Sequence, residues 1–429
     1  MTDAREVAVA VLTRVFDDDA YAAAALARAL DESRLEARDR GLCTELVYGV
    51  LRTEGHLLSR LRKFGKLREN DRLVLGHLLV GAYQLEFLDR VPPRAAVHVA
   101  VEHVRKVRGK AVGGFVNAVL RRVTEAVAAQ RTPLEVAIWQ SAPAWLRGRL
   151  TNALGEEDAR LLLTDVREPA PTLRLRAGRA APSWFAEEAA PIAGVEGAYR
   201  YVGGGDPRRH PEFEDGTFAV QELGAQLVAE ALGVQAGMRV LDVCAGRGHK
   251  TALLAERVGA SGRVVATDLH EHKVADLRGE FARFGLAVEA RPWDWTQPPP
   301  DEWRGAFDRV LVDAPCSGVG TLRRRPEILR RLRAEDPVRL ATLQATLLGN
   351  AALALAPGGR LVFATCSVLP EEGERVLEAM ARSLVPAPFG PGPFSATFPA
   401  EQAVQRLLPR LHGSDGYFVA SLASRPAAG

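Results

Sequence analysis

Two cysteines, each placed at the end of an apolar β-branched run, carry the chemistry this sequence can perform. Cys316 lies in FDRVLVDAPCSGVGT, Phe307 to Thr321, and Cys366 lies in Thr365-Cys366-Ser367. Val310-Leu311-Val312 reads as a buried parallel strand that delivers Asp313-Ala314-Pro315-Cys316 to its carboxyl end, where open α/β sheets keep their chemistry. Pro315 removes a backbone donor and biases Ala314 toward an extended conformation, so the strand stops and the next side chain can face a cleft. Alone, Cys316 also fits a small core residue, because free cysteines are often buried. The second thiol weakens that reading. After the tight turn Pro357-Gly358-Gly359, the run Arg360 to Ala364 leads to Cys366. In the usual doubly wound topology the two strands are neighbours, with both thiols over one pocket.

A ligand turn follows the first strand of the same region, Asp242-Val243-Cys244-Ala245-Gly246-Arg247-Gly248-His249-Lys250-Thr251. Its small residues let the backbone approach a ligand, and the next helix offers free amide donors. The dinucleotide fingerprint wants Gly or Ala where this chain has Thr251, which argues against a nicotinamide enzyme. Asp268 ends the second strand, where an acid accepts hydrogen bonds from ribose hydroxyls. Asp294 follows the third, in Arg291-Pro292-Trp293-Asp294-Trp295, where a carboxylate can accept from an adenine amine. Three strand-end acids, Asp268, Asp294 and Asp313, beside a glycine turn point to an adenosyl cofactor. Cytosine is a poor nucleophile at carbon 5. A thiolate that adds to carbon 6 creates an enamine able to attack a methyl donor, and a second thiol or base can then help remove the carbon 5 proton. The residues themselves leave open which thiol attacks.

The elements that must hold these groups alternate strand and helix from Met238 onward. Strands are expected at Val240 to Val243, Val264 to Thr267, Ala287 to Ala290, Arg309 to Val312 and Arg360 to Ala364, which implies a doubly wound, largely parallel sheet. Residues 1 to about 130 carry helical periodicity throughout and predict an all-α bundle, punctuated by charges at Arg38-Asp39-Arg40 and by Gly113-Gly114. Between Pro133 and Phe218 a small α/β insert is expected; there Thr172-Leu173-Arg174-Leu175-Arg176 alternates as a strand with arginines on one face. The length of 429 residues suits two or three domains. A formal charge of +3 is modest for a nucleic-acid binder, but nine Lys or Arg against Glu125 and Glu135 between Arg105 and Arg149 can follow a phosphate backbone or simply solvate helix faces. Four cysteines without metal-ligand spacing suit a reducing cytoplasm, and no apolar run is long enough to span a bilayer.

Asp242 to Thr251, the block Asp313 to Gly320 and Thr365-Cys366-Ser367 with Glu371 and Glu372 resemble the signature blocks of S-adenosylmethionine-dependent RNA cytosine-5 methyltransferases. The front, through ARDRGLCTELVYGVLR and GGFVNAVLRR, resembles the NusB RNA-binding domain. With the tail GSDGYFVASL, nearly the whole chain is similar to the RsmB (Sun) family that modifies 16S ribosomal RNA. The resemblance implies a NusB-like helical RNA-binding domain over 1–132, a small α/β RNA-binding subdomain over 133–218, a Rossmann-like methyltransferase domain over 219–424 and a tail at 425–429. It implies Cys366 as nucleophile, Cys316 as the thiol that assists release, Asp313 against the flipped base and Lys250 orienting its neighbours. S-adenosylmethionine is expected across Cys244, Ala245, Gly246, Arg247, Gly248, His249 and Lys250, with Asp268 on its ribose and Asp294 near its adenine; no metal is required. Arg323, Arg324, Arg325, Arg330, Arg331 and Arg333, opposed by Glu327, are expected to hold RNA near the pocket. The family's usual turn is Cys-Ala-Ala-Pro-Gly-Gly-Lys-Thr, so Arg247 replaces a proline and His249 a glycine. If that glycine needs a positive φ, His249 is strained unless Gly246 relaxes the turn. The expected protein is a cytoplasmic monomer with RNA as its partner; the competing reading is a non-catalytic RNA-binding assembly factor that keeps a methyltransferase shell.

Overall fold

The computed structural model describes residues 3–18, 20–68, 70–166, 170–391 and 394–424, so the tail at 425–429 lies outside the described residues. The chain forms two compact units, Met1–Val166 with Leu322–Leu332, and Arg167–Thr321 with Arg333–Gly429. Among the described residues no helix is long and apolar enough to cross a membrane.

The first unit is helical: α1 Ala4–Asp17, α2 Ala22–Glu32, α3 Ala37–Arg62, α4 Arg72–Phe87, α5 Pro93–Arg108, α6 Lys110–Ala129, α7 Leu134–Ser141, α8 Ala144–Leu154 and α9 Glu156–Thr164. Carboxylates start two of these helices. Asp3 accepts from the Arg5 amide and Asp71 from the Val74 amide, each satisfying a donor that the first turn leaves open. Leu46, Val47, Val50, Leu57 and Leu61 of α3 recur at helical spacing and are fully buried, which makes α3 the spine of the bundle. The charges and glycines expected to punctuate the bundle do not interrupt it: Arg38 to Arg40 sit inside α3, and Gly113-Gly114 inside α6. A glycine in a helix interior costs only about 1 kcal/mol, which tertiary packing overrides.

Leu322–Leu332 packs within this helical unit, where four of the six arginines expected to hold RNA already have protein partners. Arg330 pairs with Glu54 and lies 3.9 Å from the Phe16 ring centroid. Arg331 donates to the Ala20 carbonyl at 3.0 Å, Arg325 lies 4.6 Å from the Tyr21 ring centroid, and Arg323, 8% exposed, pairs with Asp165 at 3.5 Å. Glu327 is buried and accepts from the Ala22 amide. Guanidinium groups taken out of water need carboxylates, carbonyls or rings, and this unit supplies them.

The second unit holds two sheets. The smaller is antiparallel, in the order β2-β3-β1-β4, from β1 Thr172–Leu175, β2 Ala189–Pro191, β3 Ala198–Tyr201 and β4 Phe218–Val220. The stretch 133–218, read as one insert, is thus divided: α7 to α9 belong to the first unit, and the strands with two short helices, Phe185–Glu188 and Pro211–Glu214, to the second. The split falls where helical periodicity gives way to alternation. Arg174 and Arg176 do share one face, and that face is buried. Both guanidiniums meet Glu256, at 2.5 and 2.7 Å, and Arg176 also donates to the carbonyls of Gly216 and Phe284.

The larger sheet comprises β5 Arg239–Asp242, β6 Arg263–Asp268, β7 Val288–Pro292, β8 Phe307–Asp313, β9 Leu355–Thr365, β10 Leu384–Pro386, β11 Val404–Leu407 and β12 Tyr417–Ser424. Its order is β10-β12-β9-β8-β5-β6-β7, with β11 on β12. β5 to β9 run parallel, as the apolar runs predict, and β10 to β12 add an antiparallel edge. Pro357-Gly358-Gly359 falls inside the span of β9, where Gly358 takes a φ of +73°. The β8–β9 register shifts between Phe307 and Arg309, so the extra residues bulge out of the ladder. Because β5 lies between β6 and β8, the strand order reverses there, which opens the crevice where doubly wound sheets bind ligands.

Candidate active site

Asp313 of β8 is in register with Ala364 of β9, so the residues that follow each strand leave the sheet together. This brings Cys316 and Cys366 to 3.2 Å, sulfur to sulfur. The backbone fixes the approach: the Ala314 amide bonds the Ala364 carbonyl at 2.9 Å, and the Gly320 amide bonds the Cys366 carbonyl at 3.0 Å. The Gly416 amide then donates to the Gly320 carbonyl at 2.9 Å, joining the chain before β12 to the same loop. Gly320 is required there because a Cβ would sit 2.0 Å from the Gly416 carbonyl oxygen. The hydrogen bond to Cys366 and then burial, with the nearby Glu372 carboxylate adding to them, hold the Cys316 thiol well above its ordinary pKa. Cys316 is therefore the thiol that holds its proton more tightly than a free cysteine does.

Glu372 lies behind this pair and is fully buried. It accepts from the Ser317 amide at 2.7 Å, from the Ser317 hydroxyl at 2.5 Å and from the Gln344 side-chain amide at 3.2 Å. Gln344 also donates to the Pro315 carbonyl at 3.0 Å. Sequence reading quoted Glu372 inside a signature block but gave it no task, and it passed over Gln344 and Ser317. The available signal was position: Ser317 directly follows one thiol, Ser367 the other.

Lys250 and Asp313 meet at 2.5 Å beside the thiols. Burial pulls the Lys250 pKa down, but the Asp313 carboxylate and its hydrogen bond outweigh that, so the ammonium is held and its pKa is raised. The turn that carries Lys250 is anchored at its centre by the Ala245 amide on the Thr267 carbonyl, 2.9 Å. Its positive φ values fall at Gly246, +58°, and Gly248, +78°. Gly248 also faces Leu277 and Phe281, which a Cβ would meet at 2.6 and 2.9 Å. His249 is the first residue of the helix His249–Val258, so its backbone is helical and the anticipated strain does not arise. Burial lowers its pKa and favours the neutral ring. Arg247 points to solvent, and the half-buried Cys244 thiol is pushed upward by burial.

Beneath the turn, Asp242 is buried and accepts from the Thr251 hydroxyl at 2.7 Å through Oδ2, while Oδ1 has no partner. Desolvation raises its pKa to about 6. Asp268 closes β6 and is nearly buried; its Oδ1 accepts from the His270 amide at 3.2 Å and lies 3.4 Å from the Lys273 ammonium. Asp294 is exposed, and its Oδ1 closes a turn on the Thr296 amide at 2.9 Å and hydroxyl at 2.8 Å. Between these two acids the Trp293 amide bonds the Asp268 carbonyl at 3.0 Å, and its buried indole Nε1 has no partner. A glycine turn over an unsatisfied buried carboxylate oxygen, flanked by an acid at the next strand end and an unsatisfied indole, fits an adenosyl ligand. Unpaired buried polar atoms are costly unless something binds them.

Comparison with known proteins agrees with this architecture. Residues 229–423 match the 16S rRNA methyltransferase RsmB/F family and residues 2–125 match the NusB family. A Bacillus subtilis (strain 168) protein described as a probable ribosomal RNA small subunit methyltransferase B is 31% identical, over 98% of each chain. The Escherichia coli (strain K12) ribosomal RNA small subunit methyltransferase B is 33% identical, over 91% of this chain and 92% of its own. In fold, the chain is similar to the crystal structure of PH0851, with a TM-score of 0.80, 23% identity and 99% of each chain covered. It is also similar to NSun6 from Pyrococcus horikoshii solved with SFG, with a TM-score of 0.57, 19% identity, and 66% of this chain and 98% of that one covered.

Proposed function

Because the chain belongs to the RsmB/F family of 16S rRNA methyltransferases, we propose that it methylates carbon 5 of a cytosine in 16S ribosomal RNA, with Cys366 as nucleophile and Cys316 assisting release. The observation that carries this reading is the pair of sulfurs 3.2 Å apart at the ends of two adjacent parallel strands. The methyl donor is S-adenosylmethionine, which when bound supplies an electrophilic methyl group; Cys244 to Lys250, Asp268 and Asp294 would hold it. The target cytosine is swung out of its stack, and the Cys366 thiolate bonds to its carbon 6. The displaced electron pair makes carbon 5 nucleophilic. Asp313 hydrogen-bonds the base near its ring nitrogen, and Lys250 keeps Asp313 aimed. As Cys366 adds, Cys316 passes its proton to the base, whose ring nitrogen takes it; once carbon 5 is methylated, the resulting Cys316 thiolate takes the carbon 5 proton, the sulfur–carbon 6 bond breaks, and Cys366 leaves as a thiolate.

Residues 219–424 do this chemistry and residues 1–132 bind RNA, in a protein that acts as a monomer in the cytoplasm, where thiols stay reduced. Transfer of labelled methyl from S-adenosylmethionine to 16S RNA, followed by nucleoside analysis, tests the reading. The expected product is 5-methylcytidine; label on another atom moves the chemistry elsewhere, and absence of transfer favours an assembly factor.

Two further results are expected. Asp268→Ala weakens S-adenosylmethionine binding in calorimetric titration by about 1–3 kcal/mol, the cost of losing a buried acceptor. On the helical unit, Arg94 of α5 and Arg121 of α6 line one groove with His98 and Asn117. Arg121 belongs to the basic run read from the sequence, whereas Arg105, Arg108 and Arg131 of that run pair with Glu102, Asp71 and Asp89. Replacing Arg94 and Arg121 by alanine lowers RNA affinity and flattens its log-log salt dependence by about 0.7–0.9 per contact, measured by filter binding across a salt series. An unchanged slope removes this groove from the RNA path.

A further inference from the structure

We propose that Glu372 is the positioning residue of the thiol pair, tying Ser317 and Ser367, the residues that follow Cys316 and Cys366, into one buried cluster that sets the spacing and the division of roles between the two sulfurs. The inference rests on the assignment of Cys366 as nucleophile and deepens it. Both serines reach the same carboxylate. Ser317 does so through its amide at 2.7 Å and its hydroxyl at 2.5 Å, and Ser367 through its hydroxyl, which also lies 3.4 Å from that of Ser317. The Thr365 hydroxyl donates to the Glu372 carbonyl at 3.2 Å, so the residue before Cys366 is bound to the same point. Gln344 closes the cluster from the helix Asp336–Ala352, with one bond to the carboxylate and one to the Pro315 carbonyl. Each thiol loop is therefore held by a group that touches neither sulfur.

A neutral glutamine would serve as well for a tether. Burial raises the Glu372 pKa, and the hydroxyl and amide donors of Ser317, Ser367 and Gln344 oppose that by stabilising the carboxylate. What the charge adds is a field. A negative group behind Cys316 disfavours its thiolate, and burial keeps that field strong. Cys316 then remains the proton-bearing partner while Cys366 attacks, a division that two equivalent cysteines 3.2 Å apart would otherwise lack.

The test separates charge from tether in the full-length protein. Glu372→Gln can keep the cluster bonded: its carbonyl accepts from the Ser317 and Gln344 amides, and its NH2 donates to the Ser317 and Ser367 hydroxyls. Ser317→Ala cuts the tether and leaves the charge. Alkylation of each thiol by iodoacetamide, resolved by peptide mass spectrometry without RNA or cofactor, reports thiolate access directly. Glu372→Gln is expected to alkylate Cys316 about tenfold faster than wild type at fixed pH, because removing the negative charge favours the thiolate. It should also lower kcat for methylation about tenfold with the KM for S-adenosylmethionine unchanged. Ser317→Ala should lower kcat while leaving the Cys316 to Cys366 alkylation ratio closer to wild type. Wild-type alkylation ratios and kcat in Glu372→Gln overturn the proposal, even if RNA methylation is intact. If the wild type fails to methylate RNA, the catalytic reading falls, and the alkylation ratios still decide whether Glu372 differentiates the thiols.

Discussion

Cys366→Ala is expected to abolish methyl transfer, lowering the rate by roughly four to six orders of magnitude, because on the proposed mechanism no other group opens carbon 5 of the base. Cys316→Ala has a different signature. Its Cys366 still adds to carbon 6 and the base is still methylated, but the carbon 5 proton has no acceptor, so the sulfur–carbon bond persists and RNA stays attached to protein. A denaturing gel with labelled RNA should show a slow-migrating species with Cys316→Ala and none with Cys366→Ala. The geometry supports this order. Cys316 keeps its proton through its hydrogen bond to Cys366 and burial, and a thiol that keeps its proton is poorly suited to attack. If only Cys366→Ala retains RNA, the two roles are exchanged.

Glu256→Ala is expected to destabilise the second unit by about 3–5 kcal/mol, the usual consequence of removing one partner from a buried ion cluster. Glu256 lies on the helix that begins at His249 and is 5% exposed, and it receives Arg174 and Arg176, at 3% and 7%. Without it two guanidiniums remain in a site closed to water. Desolvation already lowers the Arg174 pKa against the pull of Glu256, and Arg174 Nη2 has no partner. The contrast is a triple replacement by apolar residues of similar volume, Arg174→Met, Arg176→Leu and Glu256→Leu, which should unfold near the wild-type denaturant concentration or above it. Urea unfolding followed by tryptophan fluorescence distinguishes the two. A small effect of Glu256→Ala would mean that water reaches the cluster.

How far the sequence reaches is clearest at the two thiols. The β-branched runs before them, the proline that ends the first and the glycine turn after β5 are local features whose meaning depends on a few neighbouring residues. They were enough to predict five parallel strands and acids at three strand ends, and the signature blocks were enough to indicate the family. The position of His249 was not readable in the same way. Which glycine of the turn takes a positive φ depends on where the helix starts, and that start is fixed by Gly248 meeting Leu277 and Phe281 from another helix.

The arginines mark the boundary most plainly. Alternation in Thr172 to Arg176 placed Arg174 and Arg176 on one face, as a period of two requires. Only the tertiary structure decided that this face looks inward, because its partner Glu256 lies about eighty residues away in sequence. The same holds for Arg330, whose partner Glu54 is 276 residues distant. An arginine looks the same in sequence whether it waits for a phosphate or already holds a carboxylate. Glu372 repeats the lesson in the opposite sense: local pattern placed it near Cys366, but its hold on Ser317, 55 residues away, exists only once β8 and β9 lie side by side. Short-range sterics and periodicity are written along the chain, whereas the pairing of buried charges is set by long-range packing, which the folded structure alone displays.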